Sequence, residues 1–210
     1  EYKLNMSGVQ DILTNIVFFF LSIFIFIFSI GPDKETISTV GVAIVWTLLL
    51  LSSTLSLRKF YQDDFENGNL LIIHLNGFSF GLIAILKTFS HFMFVQVPFL
   101  LSIPIACILL NIANDKLFYL FASFGIGSLI LSCLGSISSS MNLMNQRNFL
   151  LGSVIVMIFS VPVIIFSVGI INMEESFNSL INILFGILLI VFAINPWASG
   201  LCLKLSLENN

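Results

Sequence analysis

Two histidines, three cysteines and eleven carboxylates are the groups in this 210-residue sequence that could ligate a metal, attack a substrate or carry a proton. None stands in the spacing that such chemistry needs. His74 and His91 form no H-E-x-x-H pair. Cys107, Cys133 and Cys202 lie far apart in apolar runs, giving neither a C-x-x-C metal or redox site nor a disulfide framework. Such cysteines are expected to be small core residues. No G-x-x-x-x-G-K-[ST] loop occurs and no Gly precedes a Lys, so the chain does not hold ATP in that manner. The long apolar runs contain no acid that could join a Ser and a His or form a carboxylate pair, which removes intramembrane proteolysis and most proton-coupled transport. The sequence predicts a protein that is not itself an enzyme, with no metal site and no cofactor of its own.

Two patterns remain. The first is R-K-F-Y-Q-D-D-F-E-N-G-N-L-L-I-I-H-L-N-G, from Arg58 to Gly77. Asp63, Asp64 and Glu66, with Phe65 among them, precede Gly68 and Asn69, which are turn and cap residues. Leu70 to Leu75 then form an apolar stretch ended by Asn76-Gly77. The spacing predicts a short helix at the membrane interface, too brief to cross. It reads either as an ordinary amphipathic surface helix or as a docking helix, whose apolar face fills a groove on a cytoplasmic partner while the acids fix orientation. The second pattern is Ser128, Ser132, Ser136 and Ser140, at a four-residue spacing that puts them on one helix face. Small residues there let helices approach closely, either within the subunit or at a subunit interface or pathway lining.

The elements that must carry these residues are membrane helices. The chain is 58% apolar and 9% charged, with a mean hydropathy of +1.07, whereas about a quarter of a soluble domain is charged. A net charge of -3 offers no basic surface, which excludes nucleic acid as a partner. Six apolar runs of spanning length appear, at about 12–30, 38–57, 88–112, 117–140, 149–171 and 180–203. The first lacks a small-residue cleavage site and is read as a permanent helix. Because the sequence opens on Glu1 rather than Met, a few preceding residues are expected. Pro98 and Pro104 predict a bend in the third run, and Pro162 and Pro196 free backbone carbonyls in the fifth and sixth.

Charge gives the orientation. Lys3, Arg58, Lys59, Lys87, Arg147 and Lys204 fall on one side of a six-span arrangement, and Lys34 and Lys116 on the other. Positive charge is retained in the cytoplasm, so both termini are expected there, together with the long connection 58–87. The fold expected is an all-α integral membrane protein with six transmembrane helices and a short interfacial helix between the second and third. Lys87 is expected to snorkel to lipid phosphates, and His91, one turn deeper on the same face, to hydrogen-bond at the interface.

The second span ending L-S-L, the stretch D-D-F-E-N-G-N-L and the Lys some twenty residues later together resemble an ABC-2 type transporter permease. More narrowly, the chain resembles the CcmB family of haem exporter B proteins. The matching segments are S-I-G-P-D at 29–33, I-V-W-T-L-L-L-L-S-S-T-L-S-L at 44–57, R-K-F-Y-Q-D-D-F-E-N-G at 58–68, L-K-T-F-S-H-F at 86–92, V-P-V-I-I-F at 161–166 and N-P-W-A-S-G-L-C-L-K-L-S-L at 195–207. The likeness covers nearly the whole length, 1–210 as a single permease domain. It departs where Asn69, Leu70, Leu71 and Ile72 replace a polar continuation, which makes the segment more apolar than usual.

The resemblance implies a half-transporter for cytochrome c maturation, needed for haem export or delivery, or for release of a haem-loaded chaperone, at the outer face. ATP would act through a separate cytoplasmic ATPase, in two copies, contacting Asp63, Asp64, Phe65, Glu66, Gly68 and Leu70. A second permease copy, a haem-handling membrane partner and a haem chaperone would complete the assembly. With haem as cargo, His91 and Lys87 become candidate haem or interface contacts. The membrane implied is a bacterial cytoplasmic membrane, or the mitochondrial inner membrane if the chain is organelle-encoded. The same architecture fits an ABC-2 permease for a lipid, polysaccharide or drug, and a non-transporting scaffold of a haem-handling complex is the reading from another class.

Overall fold

The computed structural model describes residues 2–31, 33–56, 60–144, 150–172 and 176–208, with side chains described in all of these except 2–11, 150–151 and 172. Arg58, Lys59 and Arg147, three of the residues behind the orientation expected from charge, lie outside the described residues, as does the side chain of Lys3. Among the described residues there is no strand. The chain runs through α1 (Tyr2–Ile30), α2 (Lys34–Ser56), α3 (Gln62–Glu66), α4 (Asn69–Leu75), α5 (Phe80–His91), a π-helical segment (Phe92–Gln96), α6 (Val97–Leu109), a 3-10 turn (Asn114–Lys116), α7 (Leu117–Met144), α8 (Leu150–Asn172) and α9 (Phe177–Glu208). Six stretches are long and apolar enough to cross a membrane, and α5, the π segment and α6 together make the third.

Helix ends follow local chemistry. Asp33 starts α2: its carboxylate accepts from the Glu35 N–H at 3.2 Å and from the Thr36 hydroxyl, and the latter bond holds the Asp33 carboxyl below the usual carboxylate range. The second span therefore begins at Lys34 rather than Ser38. At the end of α6, Asn111 takes φ +51°, its N–H reaches Ile108 O at 3.3 Å, and the Ile112 N–H reaches Cys107 O at 2.9 Å. This is a Schellman stop with Asn in the left-handed position, and it ends the third span at Leu109 instead of Ile112.

The larger correction is at the other end of that span. Gly77, at φ +94°, breaks the chain after α4, and the Ser79 hydroxyl caps α5 by accepting from the Leu82 N–H at 3.3 Å. The spanning helix thus starts at Phe80 rather than Thr88. Lys87 is paired with the Asp64 carboxylate at the partly exposed end of the bundle, so the apolar helix runs through it. Ahead of Pro98 the ladder widens: the Val97 N–H reaches back five residues to Phe92 O. Such a π turn accommodates a site where proline supplies no donor.

α7 is the centre of the bundle, packed along α9 and α8; α5 lies against α9, α1 against α2, and α2 against α8. Close approach depends on glycine, as two of the contacts show. Trp46 of α2 is fully buried over Gly127 of α7, where a Cβ would lie 2.3 Å from the indole. Between α5 and α9, a Cβ on Gly200 would lie 3.0 Å from the Gly81 backbone nitrogen, and one on Gly81 would lie 3.2 Å from Pro196 O. With lipid as apolar as leucine, contacts of this kind hold membrane helices together. Outward faces carry Phe28, Leu101, Phe118, Ile165 and Trp197, all exposed and suited to lipid tails.

Candidate functional site

Residues 60–80 lie at one end of the bundle as a helix, a turn and a second helix. Asn67 closes α3, its N–H and its side-chain amide both reaching Asp63 O, at 3.1 and 2.7 Å. Gly68 at φ +72° then reverses the chain into α4, a conformation that costs any residue with a Cβ. α4 ends on Asn76, and His74 holds the next turn: its Nδ1 lies 2.9 Å from Phe78 O and its ring stacks on Phe80 at 4.0 Å. A carbonyl only accepts, so Nδ1 carries the hydrogen. His74 is a turn clamp.

The segment has two faces. Phe60, Tyr61, Phe65 and Leu70 pack inward with Ile83, Leu143 and Leu203 in a second apolar cluster, separate from the main core. Burying Phe65 and Leu70 stabilises this anchorage by about 1.5–3 kcal/mol each. Asp63 and Glu66 face outward, as do Leu71, Ile72, Leu75 and Phe78, with Leu75 76% exposed. Of the residues singled out from sequence, then, Asp63 and Glu66 lie on the free face, Phe65 and Leu70 are buried anchors, and Gly68 is the turn between them.

Asp64 points back to the bundle. Its carboxylate pairs with the Lys87 ammonium of α5 at contact distance, and the Asn69 amide donates to it at 3.4 Å. Lys87 is therefore tied to α3, where a partly desolvated ammonium gains from the carboxylate beside it.

One turn deeper His91 joins three helices. Ser56 gives its hydrogen to Ser53 O at 2.7 Å, so at 2.8 Å from His91 Nε2 it accepts, and Nε2 carries the proton. His91 Nδ1 then accepts from the Ser132 hydroxyl at 3.1 Å, and the Phe60 ring lies over the imidazole at 4.7 Å. Both nitrogens of this buried ring are engaged. For Nδ1 to ligate iron, the Ser132 hydroxyl would have to be displaced.

All four serines of the α7 stripe are buried inside the subunit. Ser128 and Ser140 donate to carbonyls of their own helix, whereas Ser132 reaches α5 and Ser136 reaches both Tyr61 and Ser199. Pro196 sits where α9 meets Gly81, and Pro162 is on an exposed part of α8. Gln96, buried in the π segment, donates to Ser53 Oγ at 3.0 Å. Sequence reasoning did not pick out Tyr61, Ser53, Thr88, Gln96, Asn195 or Ser199. The available signal was Gln96 and Asn195, amides inside apolar runs, which membrane burial tolerates only with partners. Among the described residues no three His, Cys, Asp or Glu side chains gather as metal ligands.

Comparison with known proteins gives a consistent result. The family model described as "CcmB protein" matches residues 1–206. A "Heme exporter protein B" of Haemophilus influenzae is 28% identical over 212 residues, covering 100% of this chain and 96% of that protein. One from Bradyrhizobium diazoefficiens is 28% identical over 200 residues, covering 93% and 90%. Another, from Pseudomonas aeruginosa, is 25% identical over 162 residues, covering 77% and 73%.

Proposed function

The chain belongs to the CcmB family, and from that membership we propose that it is the permease subunit of an ATP-driven haem exporter serving cytochrome c maturation, acting in haem export or delivery or in release of a haem-loaded chaperone. Residues 1–210 act as one permease domain in a bacterial inner membrane, with both termini and the 60–80 segment in the cytoplasm. Its partners are a cytoplasmic ATPase in two copies, a second permease copy, a haem-handling membrane protein and the chaperone.

The observation that carries this reading is the two-faced docking segment. Leu71, Ile72, Leu75 and Phe78 stay exposed while Leu70 and Phe65 hold the segment down. The outward apolar patch, flanked by Asp63 and Glu66, suits a groove on a soluble partner. ATP can drive the spans only if its bound state prefers one arrangement of this segment; moving an equilibrium from 1:99 to 99:1 takes about 5.5 kcal/mol of differential binding. A firmly anchored segment can transmit that preference where a loose one would absorb it.

Leu75→Asp and Ile72→Asp test the patch. Both lie outside the spanning stretches, so membrane levels should match wild type while the ATPase subunit is lost from the purified complex. Co-purification of the ATPase at wild-type levels in both variants would refute the assignment of this face.

A further inference from the structure

An unbroken line of hydrogen bonds runs from the docking segment into the bundle. Tyr61 Oη lies 2.7 Å from Ser136 Oγ, which lies 3.1 Å from Ser199 Oγ. Ser199 donates to Asn195 Oδ1 at 2.9 Å, the Asn195 amide donates to Thr88 Oγ1 at 2.9 Å, and Thr88 donates to Ala84 O at 2.8 Å. All five side chains are buried.

The two open directions follow from the fixed ones, since each hydroxyl has a single hydrogen. Ser199 spends its hydrogen on Asn195, so Ser136 must donate to Ser199. Ser136 then has none left for Tyr61, and Tyr61 donates. Thr88 likewise spends its hydrogen on Ala84 O, which requires the amide of Asn195 to face it. Every hydroxyl hydrogen is assigned, and the line runs one way: α3, α7, α9, α5.

Three links join different elements, unlike the hydroxyls of Ser128 and Ser206, which serve their own helices. Tyr61 is also the N-cap residue of α3, the helix that carries Asp63 and Glu66. Next to Thr88, Lys87 pairs with Asp64 of that same helix, so α3 is tied to α5 both directly and through α7 and α9. Away from water, opening any link strands a donor or acceptor, which makes moving the elements together cheaper than moving them apart.

We propose that Tyr61, Ser136, Ser199, Asn195 and Thr88 are positioning residues that convert displacement of the docking segment into rearrangement of α7, α9 and α5. This rests on the docking segment being the ATPase contact. Tyr61→Phe keeps the ring in its slot and removes only the donor; Ser199→Ala breaks the line at its middle; Ser206→Ala removes a buried hydroxyl that links nothing. The complex with its ATPase is purified from each strain, ATP hydrolysis is measured, and covalent haem on c-type cytochromes is stained in the same cells.

Tyr61→Phe and Ser199→Ala should retain ATPase binding and hydrolysis within about twofold, while covalent haem formed per ATP hydrolysed falls about tenfold. Ser206→Ala should leave that ratio unchanged, and the double variant should be no worse than the poorer single one. If haem delivery and hydrolysis fall together in proportion to folded protein, or the ratio stays at the wild-type value, the positioning role is overturned. A wild-type complex that purifies without any ATPase marks a different failure, that of the docking reading itself, and takes this inference with it.

Discussion

Gly200→Ala is the most demanding single-atom perturbation of the α5–α9 contact. The added Cβ would lie 3.0 Å from the Gly81 nitrogen, 3.2 Å from its Cα and 3.4 Å from the Phe80 carbonyl carbon. These are backbone atoms and cannot rotate away, whereas carbon atoms pack best at about 3.5–4.0 Å. α5 and α9 must therefore separate by several tenths of an ångström. That shift acts on the same pair of helices that Asn195 and Thr88 join at 2.9 Å. Overpacking of this kind costs about 1–3 kcal/mol. Gly186 of α9 provides the control, because a Cβ there meets nothing within 4 Å, and Ala in place of Gly favours a helix by up to about 1 kcal/mol. Thermal unfolding of the detergent-purified protein should place Gly200→Ala below wild type and Gly186→Ala at or above it. Equal midpoints for the two variants would refute the claimed backbone contact.

Two further outcomes follow from the docking segment. Lys87→Met leaves the Asp64 carboxylate without its cation and should destabilise by about 1–2 kcal/mol, whereas Asp64→Asn combined with Lys87→Met should cost less than the two single changes added, as read from a double-mutant cycle of unfolding midpoints. Burial pushes the Tyr61 phenol above its ordinary value, against a smaller opposing effect from Ser136. The folded protein then holds this proton where the unfolded chain, titrating near about 10, releases it, so stability falls as pH rises past about 10 and the slope should be shallower in Tyr61→Phe.

Much of the architecture was legible in the residues because hydrocarbon imposes one strong rule: about twenty apolar residues per crossing, with charge between. Ile30 was legible as the end of α1, and Leu117 as the start of α7. The third span was misjudged for a local reason. Lys87 reads as a boundary when taken alone, and its partner Asp64, twenty-three residues earlier, is visible only once the chain has folded. The same holds for His91, whose two hydroxyl partners come from α2 and α7. The docking segment showed its turn residues, Gly68 and Asn76-Gly77, but not which of Phe65, Glu66, Leu70 and Leu75 would face inward, because seven residues of α4 leave periodicity little to work on. Serine at every fourth position predicted close packing. It did not reveal that Ser132 and Ser136 reach other helices while Ser128 bonds to its own, a difference set by what happens to lie opposite.

The central claim is that this chain serves haem delivery to c-type cytochromes. Its most direct test is a covalent-haem stain of membranes from cells depleted of the protein, with non-covalent b-type haem measured in the same membranes. Covalent haem should disappear while b-type haem persists, and the wild-type chain but not Leu75→Asp should restore it. Persistence of both kinds of haem after depletion would contradict the claim.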